Sequence, residues 1–303
     1  MSLSAPPVSG LLTYLGILRF AGPDSLSFLQ GQVSNDTRVL AQGRSLLAAY
    51  SSPQGRVLAL MRILPHSGGV IAILPRELVV PTMEALRKFV LRAKVTIEDA
   101  GDALRIVAVH GAQRLESAGL AAPPSSTSYT ELQDLGVAPV NGDSGRYWVI
   151  GPEEKLAVRG LAGDGESAGQ IEHDWRLADI RAGLPQIYLA TREAFVAQML
   201  NLDLVDGISF TKGCYTGQEI IARTQHRGRI KRRLYRLRLP TGEWQVGQTL
   251  RLTDGRSGRV TEAVSVAGGF EALAVLNTEP GEGEVEPGAA IAAESLPLPY
   301  ELR

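Results

Sequence analysis

The stretch Ile208–Arg223, ISFTKGCYTGQEIIAR, contains the one cysteine of the chain, Cys214. Gly213 and Gly217 flank it and let the backbone turn tightly. Thr216-Gly217-Gln218-Glu219 fits a capping box, in which the Thr216 hydroxyl accepts from the Glu219 amide and the Glu219 carboxylate reaches back to the Thr216 amide. Ile220, Ile221 and Ala222 supply an apolar start to the helix that follows. Cys214 therefore lies two residues before a helix cap, and Lys212 lies two residues upstream of it. The positive helix end and the lysine both favour a thiolate. Such a thiol can act as a nucleophile or contact a metal. The competing reading is a small buried residue at a turn, as free cysteines often are. None of the four histidines, His66, His110, His173 and His226, stands in a local context that marks the partner of a papain-type cysteine.

Arg223–Arg238 carries eight Lys/Arg and no acidic residue, in a chain whose net charge is −1. That is a concentrated positive field. Arg223–Arg233 reads as an anion site, for carboxylates or a phosphate-bearing partner. In the alternating half, Leu234, Leu237 and Leu239 with Arg between them read equally well as a strand edge kept from pairing by its charge. Nucleic acid can bind such a patch through phosphates alone. Only Tyr235 interleaves it, so base stacking has little to work with.

These residues need a folded frame, and the composition supplies one. Of 303 residues, 44% are hydrophobic and 21% charged, which excludes a disordered chain. The length predicts two or three domains. The 33 glycines and 17 prolines show no period, against a collagen-like chain. A single cysteine excludes an internal disulfide, a zinc site of several cysteines and an iron–sulfur cluster held by this chain alone. No metal site is expected. The amino terminus lacks a basic n-region, and no apolar run approaches a membrane span, so a cytoplasmic protein without membrane contact is expected.

Val70–Leu74, Lys94–Ile97, Leu104–Val109 and Tyr147–Ile150 read as strands. Helices are predicted from Pro81-Thr82 through MEALRKFVLR with Thr82 as cap, in AQRLESAGL after His110-Gly111, and in GPEEKLAVRGLAG with Pro152 at its first turn. The strand–proline–helix unit occurs at Val70–Arg92 and again at Arg146–Leu161, a weak echo that suggests two α+β lobes. Ala121–Ser128 and Ala162–Gly169 are loops by composition. Beyond Arg229 the pattern changes to RRLYRLRL, QTLRL, GRVTEAVSV, FEALAVLN and AAIAAE, separated by glycine-rich turns. Short strands at that spacing predict a small antiparallel barrel or sandwich.

The motif K-G-C-Y-x-G-Q-E, at Lys212–Glu219, resembles the signature of the YgfZ family, folate-binding proteins related to the aminomethyltransferase of glycine cleavage. Gly31–Asp36, Pro53–Val57, the segment from Asp174-Trp175 to Leu184-Pro185, and Leu296–Tyr300 resemble further segments of that family. The resemblance implies an α+β fold of the aminomethyltransferase type. Its three-domain ring would have two ferredoxin-like α+β lobes, a C-terminal antiparallel β-barrel and a central folate channel. On that pattern, 1–110 with 170–228 form the folate-binding domain, 111–169 the second lobe and 229–303 the barrel. It further implies tetrahydrofolate or a one-carbon derivative as ligand and iron–sulfur proteins or assembly factors as partners. Modification of tRNA would be affected indirectly.

Residue by residue, Trp175 matches a folate-contacting tryptophan, with a core tryptophan as the competing reading. Leu15 falls where the family has a second, aromatic contact. Cys214 with Lys212 would be the active group, Arg223 would complete the pocket, and Gly213, Tyr215, Gly217, Gln218 and Glu219 would hold the loop. Thr191–Leu200 has helical propensity where relatives are expected to be more extended, and Ala197 stands where they often have Pro. The transferases carry a G-G-x-x-D-D stretch with an aspartate against the folate nitrogen. Here Gly55–Leu60 puts Ala59 and Leu60 at the acidic positions, and neither can orient or deprotonate an amine. Glycine-cleavage activity is therefore disfavoured. A folate-dependent aminomethyl or methyl transferase, and a tRNA-binding module built on 223–238, are the alternative functions.

Overall fold

The computed structural model describes residues 9–140, 145–162, 168–227, 229–281 and 289–302. Most of the loop read at Ala162–Gly169 and of the last glycine-rich turn lies outside them. The chain divides into two compact units, Met1–Gln30 with Thr37–Leu47 and Met61–Trp175, and Gly31–Asp36 with Ala48–Leu60 and Arg176–Arg303. The class is α+β, with three five-stranded antiparallel sheets.

The first sheet has the order Leu46–Ser51, Val57–His66, Gly69–Pro75, Leu15–Ala21, Thr96–Asp99. Its long second strand is buried along Val57–Leu64, where every residue but Arg62 is apolar. Helix Arg76–Arg87 follows directly on Pro75 and buries Leu78, Val79, Thr82 and Leu86. The helix expected to open at Pro81-Thr82 thus begins five residues earlier, with Pro81 inside it, and Thr82 is buried rather than capping. The apolar side chains Leu78 and Val79 gain more by packing than the helix loses at one missing amide. It also ends sooner, leaving Phe89 and Leu91 exposed.

The second sheet has the order Ser9–Leu11, Arg105–His110, Arg146–Gly151, Leu135–Pro139, Thr130–Leu132. One face carries Val107, Val109, Val137, Tyr147 and Val149 into a core closed by Leu115 and Leu156. Those two leucines come from the short helices Ala112–Ser117 and Glu153–Val158, both near their expected places. The register pairs Arg146 with His110 and Trp148 with Ala108, so Arg146, Trp148 and His110 share the opposite face.

The third sheet runs Thr249–Arg251, Ser257–Val266, Gly269–Asn277, Arg232–Leu239, Glu294–Leu296. Leu237, Leu239, Leu250, Val260, Ala274 and Leu276 fill its core face. The sheet is barrel-like but not closed. Glu294–Leu296 pairs with Arg236–Arg238, and one parallel bridge, Leu252 to Ile291, reaches towards the other edge. The last strand has three residues, and Pro297 and Pro299 behind it have no amide with which to extend a ladder.

In the 176–303 part, Thr191–Leu200 forms no α-helix. It has 3-10 turns at Leu189–Thr191 and Ala197–Leu200, with an extended piece between them. The Val57 amide donates to the Phe195 carbonyl, and Arg56 bridges Val196, so strand-type pairing overrides local propensity there. Gly183, at φ +64°, ends helix Ala168–Arg181, and a Cβ there would lie 2.8 Å from the Tyr300 ring. The Tyr300 hydroxyl donates to the Gly183 carbonyl at 2.7 Å, which gives the terminal LPLPY segment a structural task.

The basic segment spends much of its charge internally. Arg233 is buried and makes a two-pronged bond to Asp203, at 2.6 and 2.9 Å. Arg236 and Arg181 share Glu271, and Arg229 pairs with Glu279. Removing one member of a buried pair strands the other charge. Arg233→Ala should therefore lower stability by about 3–5 kcal/mol in urea unfolding. The double change Arg233→Met with Asp203→Leu should recover most of that loss.

Candidate functional site

The Cys214 loop is built entirely within the 31–36, 48–60 and 176–303 unit. The Ser34 hydroxyl donates to the Gly207 carbonyl at 2.6 Å, and the Asn35 side-chain amide to the Asp206 carbonyl at 2.7 Å. Lys212 is buried, and its ammonium donates to the carbonyls of Val33 at 2.7 Å and Asn35 at 2.9 Å. The same ammonium lies 4.8 Å from the centre of the Tyr215 ring. The Thr216 amide reaches the Gly31 carbonyl. Segment 31–36 is therefore the seat on which 206–216 rests.

The second brace is the turn at Ser52–Val57. Gly217 has φ +82°, and a Cβ there would stand 2.6 Å from the Ser52 carbonyl oxygen. Gly55, at φ +71°, faces Ile220, whose Cβ would be 2.8 Å from an added methyl. Two glycines thus let the turn and the helix start touch. Gly213 differs, because a Cβ there would meet nothing within 4 Å. The tight geometry belongs to Gly217, and the space beside Cys214 is open.

Between these braces Cys214 is exposed. Tyr215 next to it is buried, and desolvation pushes its hydroxyl up to about 12. Helix Gln218–Arg227 opens with the Gln218 amide on the Tyr215 carbonyl and the Ile221 amide on the Gly217 carbonyl. Glu219 is exposed in its first turn, and Arg223 is exposed one turn further on. The Ile221 carbonyl accepts from the fully buried Gln198 side chain at 2.7 Å. Gln32 Oε1 and Ser51 Oγ, on the two bracing segments, are buried without a hydrogen-bond partner among the described residues.

Trp175 and Leu15 belong to the other unit. Trp175 has no exposed surface. It meets His110 edge-on at 5.3 Å and Trp148 at 6.3 Å, and the Arg146 guanidinium stacks 4.8 Å from its ring centre. Arg62 lies over Trp148 at 5.5 Å. The indole N–H groups of Trp148 and Trp175 are both buried and find no acceptor among the described residues. Leu15 lines a cavity of about 310 Å³ with Leu12, Ile17, Arg76, Leu104 and Arg105, and Trp175 is not part of its wall. The structure thus gathers Lys212, Tyr215 and Gly217 around the Cys214 loop, and does not bring Leu15 and Trp175 to one cavity.

Sequence reading missed Trp148 and Arg146 beside Trp175, Arg62 over Trp148, and Gln32 and Ser51 on the segments that brace the loop. Period-two alternation in Arg146–Ile150 puts Arg146 and Trp148 on one face, so that pair was findable. Arg62, Gln32 and Ser51 become visible only through tertiary contact.

An α+β chain with three antiparallel sheets and this connectivity has the fold of the glycine-cleavage aminomethyltransferases. The solved aminomethyltransferase T of Bartonella henselae superposes with a TM-score of 0.58, covering 90% of this chain and 79% of that one. At 15% identity the likeness is one of fold. The chain belongs to the YgfZ family. It is 32% identical over 293 residues to the tRNA-modifying protein YgfZ of Pectobacterium carotovorum, covering 93% of this chain and 88% of the relative. It is 32% identical over 323 residues to the protein of the same name from Yersinia pestis strain Pestoides F, covering 98% and 96%. No protein-family model matches the chain.

Two outcomes test this geometry. Gly217→Ala should cost about 1–3 kcal/mol in denaturant unfolding, because it combines a positive φ with a backbone clash. Gly213→Ala should stay within about 0.5 kcal/mol of the parent. The buried Tyr215 keeps its proton in the folded state while an unfolded tyrosine releases it near pH 10. Stability should therefore fall as pH rises from about 10 towards 12, and Tyr215→Phe should lack that share of the loss.

Proposed function

We propose that this protein binds tetrahydrofolate or a one-carbon derivative and uses Cys214 to support the assembly or repair of iron–sulfur proteins. Modification of tRNA then depends on it indirectly, through enzymes that need those clusters. The observation that carries the reading is the exposed Cys214 thiol on a loop braced from two sides. A thiol that served only packing would be covered. The relatives' shared name, tRNA-modifying protein YgfZ, supports the link to tRNA.

Folate fits the donors of the Trp148–Trp175 cluster. Two buried indole N–H groups without acceptors, beside stacked guanidiniums, suit a flat heteroaromatic ring rich in carbonyl and nitrogen acceptors. When bound, the folate supplies one-carbon chemistry. The chain's own residues hold and orient it, with Trp175 as the contact for its ring. Lys212 positions the Cys214 loop through Val33 and Asn35, and Gly213, Tyr215, Gly217, Gln218 and Glu219 keep its shape. Ala59 and Leu60 are buried and carry no carboxylate, which weighs against aminomethyl transfer. The pairing of Arg229, Arg233 and Arg236 with acidic residues leaves the 223–238 segment less charge for tRNA. A cytoplasmic place agrees with the reading. Among the described residues no helix is long and apolar enough to cross a membrane.

Cys214→Ala, introduced into a strain lacking the gene, should fail to restore iron–sulfur enzyme activity and tRNA modification. The purified variant should keep its melting temperature and its tetrahydrofolate affinity by calorimetry. Full restoration by this variant removes the thiol from the mechanism, and no folate binding by the parent protein removes the ligand.

A further inference from the structure

The face of the third sheet opposite its core ends in a small pocket of about 180 Å³. The strand register puts Thr249 beside Arg259, Arg259 beside Val275, and Arg232 beside Asn277, so these side chains rise from one face. Ala194 and Phe195 form the wall. None of the residues lining the pocket is acidic.

Its hydrogen-bonding capacity is almost all on the donor side. The Ala194 carbonyl is taken by Arg56 at 3.0 Å and the Phe195 carbonyl by the Val57 amide at 2.8 Å. Arg232 commits its Nε to Asn277 Oδ1 at 2.9 Å, which leaves its two terminal nitrogens. The Asn277 amide donates to Ser257 Oγ at 3.3 Å, so the Ser257 proton must point elsewhere. Among the described residues Arg259 makes no ion pair and no side-chain hydrogen bond. Two guanidiniums and the hydroxyls of Ser257 and Thr249 therefore face one space without an acceptor of their own.

We propose that this pocket binds a phosphate group. Tetrahedral oxygens accept from two guanidinium forks and two hydroxyls at once. The volume lies below the roughly 300–1,000 Å³ of a whole-ligand site, so it holds the phosphate of a larger molecule rather than the molecule itself. No residue of its lining belongs to the Cys214 loop, so the site is independent of the folate reading. The phosphate comes from a soluble monoester or from the phosphodiester backbone of a nucleic acid.

The test is calorimetric titration of the full-length protein with inorganic phosphate against chloride at matched ionic strength. Saturable binding at one site is expected. Arg259→Ala should weaken it about tenfold or more and Arg259→Lys less, the loss of one charge-assisted bond. Because the Arg259 side chain bonds nothing else among the described residues, the melting temperature of Arg259→Ala in phosphate-free buffer should equal that of the parent. Thr249→Val serves as a second variant and should also weaken binding. Displacement by a nucleoside 5′-monophosphate assigns the group to a soluble ester. Displacement by a short RNA without terminal phosphates, and not by the mononucleotide, assigns it to a backbone. No heat beyond that of chloride, or equal affinity in the parent and both variants, overturns the proposal.

Discussion

A buried ammonium has to find acceptors, and Lys212 finds them in the carbonyls of Val33 and Asn35. An ammonium without them would cost several kcal/mol. That requirement ties the loop at 206–216 to a segment from the start of the chain, and the remaining bonds follow from it. Ser34 and Asn35 reach the same loop from below, Tyr215 packs under the lysine, and Gly217 presses on Ser52. The result is a braced seat with the Cys214 thiol left exposed. A site group held on a braced element keeps its direction, whereas one on a free loop does not.

The arginines show the same economy. In low dielectric a guanidinium needs either a carboxylate or a π face, and this protein uses both. Arg233 takes Asp203, while Arg236 and Arg181 take Glu271. Arg146 and Arg62 stack on tryptophans. Of the eight basic residues in the 223–238 run, Arg229, Arg233 and Arg236 are therefore committed to carboxylates.

Much of the architecture was legible in residue patterns. The strands around Val70–Leu74, Leu104–Val109 and Tyr147–Ile150 lie where short β-branched apolar runs put them, because a strand buried on both faces reads as such a run. A helix after Cys214 was legible but its capping box was not borne out, since the Thr216 amide goes to the Gly31 carbonyl and the helix opens at Gln218; the short carboxyl-terminal strands were legible from their turns. Proline signals a helix start at Pro81, whereas burial of Leu78 and Val79 begins the helix at Arg76 and carries it past that proline. Thr191–Leu200 was ambiguous because its backbone partners, Arg56 and Val57, are distant in sequence.

By itself the chain specified local geometry: where glycines permit left-handed turns, where helices and strands lie in outline, and which single thiol is available. These depend on neighbours a few residues away. Tertiary structure decided which partner each long side chain takes. Lys212 bonds a carbonyl 179 residues away, which no local rule predicts. The unpaired indole donors of Trp148 and Trp175, and the convergence of Arg232 with Arg259, arise in the same way. Long polar side chains choose among many acceptors, and only the packed fold removes all but one.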